Sequence, residues 1–171
     1  RTTLFVDGQA ASVPATALFR ILQSNASEPR GLTYSVYLLP DGSVRLPDFS
    51  TLSPVATGLA HEFSIDDLTL PRPDNVAVVF EGFIHIAEAG DYRFSLASDD
   101  GSKLYVGDRA VVDNDGDHGV IPASGSITLQ PGRHPIRVEY FNGGGGSWLG
   151  AYFEGPGVSR QFIDPNILTP R

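Results

Sequence analysis

Residues 92–119 read Tyr92-Arg-Phe-Ser-Leu-Ala-Ser-Asp99-Asp100-Gly-Ser-Lys-Leu-Tyr-Val-Gly-Asp-Arg-Ala-Val-Val-Asp-Asn-Asp-Gly-Asp-His-Gly119. The stretch opens with apolar residues at Tyr92, Phe94 and Leu96, separated by Arg93 and Ser95. That period of two is the signature of a strand with one buried face. Turn chemistry then interrupts the chain at Asp100-Gly101, Gly107-Asp108 and Asp115-Gly116, where glycine and aspartate favour tight reversals. Short strands joined by tight turns therefore account for this region.

The same pattern extends outward. Ile136-Arg-Val138-Glu-Tyr140 alternates, and Ser126 to Leu129 and Trp148 to Phe153 also read as strands. Val76 to Phe80 and Phe83 to Ile86 are dense enough in apolar residues to be buried on both faces. Asp41-Gly42, Ala89-Gly90 and Pro131-Gly132 supply further turns, and Asp115-Gly116 reads as a hairpin turn. Strands at such spacing predict an all-β fold, an antiparallel β-sandwich or barrel. Only Ala15 to Gln23 offers a modest helix, and a strand fits there nearly as well. Residues 1–23, with a strand and turn at Leu4-Phe5-Val6-Asp7-Gly8, are too few for a core of their own. They read as the stub of a preceding domain or as a docked first strand. Residues 24–29 read as a linker, and 30–171 as the main domain.

Composition agrees. The 171 residues suffice for one domain with a real core. Aspartate outnumbers glutamate 14 to 6, and Gly and Pro number 19 and 13, which favours loops over helices. A net charge of −8 makes nucleic acid and anionic membranes poor partners. No run approaches the roughly 20 apolar residues of a membrane span. The absence of cysteine excludes disulfides, thiolate zinc sites and a cysteine nucleophile. A chain that lacks methionine and opens on Arg1 reads as a piece of a longer protein.

The densest chemistry lies among Asp99, Asp100, Asp108, Asp113, Asp115 and Asp117. Adjacent carboxylates at a strand end, Asp99-Asp100, repel each other unless a cation lies between them. Ca²⁺ is a natural counterion for such oxygens. A solvated acidic turn is the plainer reading. Asp113-Asn-Asp115-Gly-Asp117 fails as an EF-hand loop, because His118 stands at the sixth position and Ser124 at the twelfth. Asn142 precedes four glycines, Gly143 to Gly146, whose bare backbone suits contact with a ligand. Trp148, the single tryptophan, is either a core residue opening the next strand or an exposed platform for a sugar ring. Catalytic groups are sparse. His61, His85, His118 and His134 lack metal-ligand spacing, His85 and His134 fall within strand patterns, and no G-x-S-x-G elbow occurs.

Residues 92–119, together with Pro131-Gly-Arg-His-Pro-Ile-Arg-Val-Glu-Tyr-Phe-Asn142 and Glu154-Gly-Pro-Gly157, resemble the centre of the PA14 domain family. Gly31-Leu-Thr-Tyr34, Leu46-Pro-Asp-Phe49 and Phe80-Glu-Gly-Phe83 resemble its earlier strands. The resemblance implies an antiparallel β-sandwich of the kind found in bacterial toxins, glycosidases and adhesins and in yeast flocculins. In sugar-binding members an Asp-Asp pair joined by a cis peptide holds Ca²⁺, which in turn takes two vicinal hydroxyls of a terminal sugar. Carried over, the metal ligands are Asp99, Asp100, the Asn142 side chain and the Gly144 carbonyl. The sugar contacts are Asp99, Asp100, Asn142 and Trp148. The implied activity is calcium-dependent carbohydrate binding without catalysis, in a secreted or cell-surface bacterial protein. The alternative is a structural or protein-interaction module. Residues 1–23 resemble the last strands of the small β domain that follows some hexosaminidase catalytic domains. That likeness implies an accessory module covalently joined to a glycosidase, and a multi-domain adhesin is the rival parent.

Overall fold

In a computed structural model, the described residues are 29–171 and two short paired strands near the start, β1 (Leu4–Val6) and β2 (Gln9–Ala11). The helix-or-strand reading of residues 15–23 and the linker reading up to residue 28 lie outside the described residues.

The body of the domain is two antiparallel sheets packed face to face. One contains β3 (Leu32–Leu38), β4 (Ala56–Ala60), β5 (Val76–Ile86), β7 (Ser102–Val106), β8 (Arg109–Asn114), β10 (Gly132–Asn142) and β13 (Leu168–Pro170). Its order is β4-β3-β5-β10-β7-β8. β10 occupies one edge of β5 along its whole length, so β3 and β13 share the other, β3 from Val76 to Glu81 and β13 from Gly82 to Ile84. The second sheet has the order β12-β11-β6-β9, formed by β6 (Gly90–Asp99), β9 (Ile121–Leu129), β11 (Trp148–Gly155) and β12 (Val158–Phe162). The sheets remain open, so the fold is a sandwich and not a closed barrel.

Alternation places the core. Tyr92, Phe94 and Leu96 of β6 and Leu149, Ala151 and Phe153 of β11 point inward. They meet Val78, Phe80 and Ile84 of β5, Leu104 of β7, and Ile136, Val138 and Tyr140 of β10. Burying each of the large aliphatic and phenylalanine side chains among them contributes on the order of 1.5–3 kcal/mol. A smaller cluster of Leu39, Ala77 and Phe141, backed by Tyr37, Leu46, Phe49 and Leu52, covers the outer side of the larger sheet. That cover explains why Val76 to Phe80 are buried on both faces.

Three expectations change. Val76–Ile86 is one continuous strand, not two. Its second half is covered on one face only, since Phe83 is half-buried and His85 exposed while Ile84 and Ile86 are buried. Asp115-Gly116 does not close a hairpin: β8 pairs with β7, and β9 pairs with β6 in the other sheet. The chain crosses between sheets there, and Asp115 Oδ1 accepts from the Leu46 N–H at 2.8 Å.

Candidate functional site

The site grows from the end of β6, where one end of the sandwich brings three segments together. The Asp99-Asp100 peptide bond is cis. Beneath the pair, Ser98, Ser102 and Asn114 are buried. Ser98 Oγ and Ser102 Oγ lie 2.7 Å apart, and Asn114 Nδ2 donates to Ser98 Oγ and to the Ile121 carbonyl. This satisfied polar cluster ties β6, β7, β8 and β9 together below the carboxylates, as buried polar groups require.

Asp100 is 3% exposed. Its Oδ1 accepts from the His118 N–H at 3.1 Å and its Oδ2 from the Gly143 N–H at 2.8 Å. The carboxylate therefore fastens both the 115–119 crossing and the glycine loop. Asp99 is more open. Its main-chain carbonyl accepts from the Tyr140 hydroxyl at 2.6 Å. Burial, followed by the charges of Asp100 and Asp99, raises the Tyr140 phenol well above its ordinary value, so it remains a donor.

Asn142 ends β10 and is 1% exposed. Its Nδ2 donates to the Pro73 carbonyl at 2.9 Å, which fixes the amide, and its Oδ1 accepts from the Gly144 N–H at 3.0 Å. The glycine run lies against both acids. A Cβ at Gly146 would come within 2.6 Å of Asp99 Oδ2, and one at Gly143 within 3.6 Å of Asp100 Oδ2. Only glycine gives the backbone that approach at position 146. Thus the structure brings Asp99, Asp100, Asn142 and Gly144 into one neighbourhood.

Trp148 pairs with Asp99 in the sheet register. It is half-buried and lies on the outer face of β11, opposite to Leu149 and Ala151 in the core. A Cβ at Gly150 would meet Trp148 Cη2 at 2.6 Å, so the indole lies over Gly150, whose partner on β6 is Ala97, two residues before Asp99.

The donor set is chemically consistent with a hard cation. Two carboxylates, one amide oxygen and flexible main-chain carbonyls are all oxygen donors, the kind Ca²⁺ takes in sets of six to eight. Among the described residues no ion pair involves Asp99 or Asp100. No group of three or more His, Cys, Asp or Glu side chains converges among them either, so amide and main-chain oxygens would have to complete any coordination. The EF-hand-like aspartates are engaged otherwise. Lys103 Nζ lies 3.5 Å from both Asp113 and Asp115. Partial burial opposes its charge, but those two carboxylates hold the ammonium above its ordinary pKa. His85 and His134 make strand-end contacts, with Thr169 Oγ1 and the Gln130 carbonyl respectively.

Sequence reasoning missed the polar cluster under the site, although Ser98 continues the inward series Tyr92, Phe94, Leu96. It also missed Tyr140 as the anchor of Asp99, and Asp74, whose carboxylate borders Gly144.

Similar folds occur in the PA14 domain of the MpAFP antifreeze protein (TM-score 0.73, 19% identity, 95% of this chain and 96% of that one). The PA14 sugar-binding domain of an RTX adhesin is also similar (TM-score 0.70, 18% identity, 83% and 99%). So is the epithelial adhesin 6 A domain of Candida glabrata, solved with Galβ1-3GlcNAc (TM-score 0.61, 14% identity, 84% and 88%). At these identities the likeness is one of fold. The chain spans about half, 48%, of an anti-sigma factor domain-containing protein of Clostridium clariflavum to which it is also similar (TM-score 0.68, 19% identity, 84% of this chain). No curated protein sequence matches it. The PA14 domain profile matches residues 66–166, which include both sheets' central strands, the acid pair and the glycine loop, and the chain belongs to the PA14 domain family.

Proposed function

We propose that this domain is a calcium-dependent carbohydrate-binding module without catalytic activity, acting outside the cell as part of a larger protein. One observation carries the reading: the adjacent Asp99 and Asp100 carboxylates, in no ion pair among the described residues, border a bare glycine backbone and a fixed Asn142 amide. Asp99, Asp100, the Asn142 Oδ1 and the Gly144 carbonyl would hold the ion. Bound Ca²⁺ supplies positive charge and open coordination positions for two vicinal sugar hydroxyls.

The chain's own residues do the rest. Asp100 holds the glycine loop in place through the Gly143 N–H. Tyr140 and the Ser98–Ser102–Asn114 cluster keep the end of β6 rigid, so the acids are oriented before a ligand arrives. Trp148, opposite Asp99, offers an apolar face beside the hydroxyl-binding position. The similar sugar-binding domain of the RTX adhesin and the glycan bound by the Candida glabrata adhesin domain support this class of ligand.

A glycan array probed in Ca²⁺ and again in excess chelator tests the proposal. Binding that is present with Ca²⁺ and lost with chelator is expected. Binding to no glycan under either condition would favour a structural or protein-interaction module.

A further inference from the structure

The outer face of the four-stranded sheet carries a feature that the acid pair does not explain. Trp148 and Phe162 both overhang Gly150: a Cβ there would lie 2.6 Å from Trp148 Cη2 and 3.2 Å from Phe162 Cε1. Phe162 stacks on Tyr152 with ring centroids 4.3 Å apart. The Arg160 guanidinium lies 4.2 Å from the same Tyr152 centroid. Two groups that near one ring occupy its opposite faces. The result is a continuous row of Trp148, Phe162, Tyr152 and Arg160 along β11 and β12. The row is not core, because the inward residues of β11 are Leu149, Ala151 and Phe153. Phe162 leaves 54% of its surface in water although it is stacked in place. Isolated exposed aromatics need no explanation, but an ordered row is a mark of a binding surface.

Beside the row the sheet surface is low. The in-register neighbours of Gly150 and Tyr152 on β6 are Ala97 and Ser95, and Ser95 is followed across the sheet by Ser124. Small side chains next to large rings form a shelf with an aromatic wall. It starts at Asp99, opposite Trp148, and ends at a cleft of about 320 Å³ lined by Arg93, Glu154, Ser126 and Asp91. From Asp99 to Arg93 is six strand residues, roughly 20 Å. Arg93 Nε and Glu154 Oε1 lie 3.9 Å apart, which leaves Asp91 as the one carboxylate of the cleft without a cation among the described residues and so disfavours a polyanionic chain. Such a surface favours a neutral chain that alternates apolar faces with hydroxyls over a strongly charged one.

We infer that this shelf binds the successive sugar units of an uncharged oligosaccharide whose terminal residue occupies the Asp99/Asp100 site. The inference rests on the carbohydrate-binding reading given above. The exposed rim of the row, Phe162 above all, packs against the apolar parts of the second and third sugars. Ser124, Arg93 and Glu154 meet their hydroxyls. The preferred ligand is therefore the end of a glycan chain and not a free monosaccharide.

The test is calorimetry in Ca²⁺ with glucose, galactose and mannose, each free and as the non-reducing end of a neutral tetrasaccharide. At least one tetrasaccharide should bind about tenfold more tightly than its free terminal sugar. Phe162→Ala should bring that tetrasaccharide down to the monosaccharide level, and Arg93→Ala, at the far end of the shelf, should remove part of the gain. Equal affinity for mono- and tetrasaccharide in every series would overturn the inference while leaving terminal-sugar binding intact. So would a gain that survives both substitutions. Tetrasaccharide binding that persists in chelator but fails in Phe162→Ala would sustain the shelf and overturn the calcium reading. Concentration-dependent self-association abolished by Phe162→Ala, with no gain from chain length, would assign the face to a second copy of the chain and overturn the inference.

Discussion

The Tyr140 hydroxyl donates to the Asp99 main-chain carbonyl across 2.6 Å, linking the middle of the larger sheet to the tip of the smaller one. Tyr140 is fully buried in the intersheet core, yet its polar end reaches the acid pair. One side chain thus couples the packing of the sandwich to the placement of the candidate site.

Tyr140→Phe removes this bond and keeps the ring. The expected loss is about 0.5–1.5 kcal/mol of stability, with weaker Ca²⁺ binding because the Asp99 backbone loses its anchor. The pH dependence has a definite sign. The folded phenol titrates well above its ordinary 10.0, raised first by burial and then by Asp100 and Asp99. Above that ordinary value the native state retains a proton that the unfolded chain has lost, so stability is complete below it and declines as pH rises beyond it. Denaturant unfolding in calcium-free buffer should show that decline, shallower in Tyr140→Phe. An identical alkaline slope in both proteins would detach Tyr140 from the effect.

The two aspartates should separate under substitution. Among the described residues no group donates to the Asp99 carboxylate as two do to that of Asp100, so Asp99→Asn should abolish Ca²⁺ binding with little change in melting temperature. Asp100 accepts two backbone N–H groups. In Asp100→Asn one of those donors faces an NH₂, which costs about 1–3 kcal/mol as well as the ion. Equal melting temperatures for the two variants would show that the Asp100 bonds contribute little.

Gly146→Ala places a methyl 2.6 Å from Asp99 Oδ2. The carboxylate is a movable side-chain end, so the fold should tolerate the change while the acid swings away from its partner. Calcium affinity should fall severalfold at nearly constant stability. An unchanged titration would mean that the Asp99 orientation does not matter to the ion.

How much of this could be read from the sequence depends on range. Alternation at Tyr92–Leu96 and Ile136–Tyr140 is a local signal, and it identified strands and the inward face. The same local reading split Val76–Ile86, because Glu81-Gly82 interrupts the apolar run while the backbone continues unbroken beside β10. It took Asp115-Gly116 for a hairpin because a turn dipeptide does not tell which sheet the next strand joins. The acid pair and Asn142 stood out as unusual residues. Tyr140, Asp74 and the Ser98–Ser102–Asn114 cluster did not, since their meaning comes from contacts between segments distant in sequence. The choice for Trp148 was likewise not local: its register with Asp99 and its place over Gly150 put it on the outer face.

Trp148→Ala should therefore cost less than the roughly 3–5 kcal/mol of deleting a core aromatic. Gly150→Ala offers a gentler probe, because its methyl would lift the indole from its seat. As this is the only tryptophan, its emission should shift to the red in Gly150→Ala with a small change in melting temperature. Unchanged emission would place the ring elsewhere.

The most direct measurement is a calorimetric titration of Ca²⁺ into metal-free protein, for the wild-type chain and for Asp99→Asn side by side. One calcium per chain in the wild type and no measurable heat in Asp99→Asn is the result expected of an ion held by the acid pair. A wild-type chain that takes up no calcium, or an Asp99→Asn chain that binds it as the wild type does, would contradict the assignment.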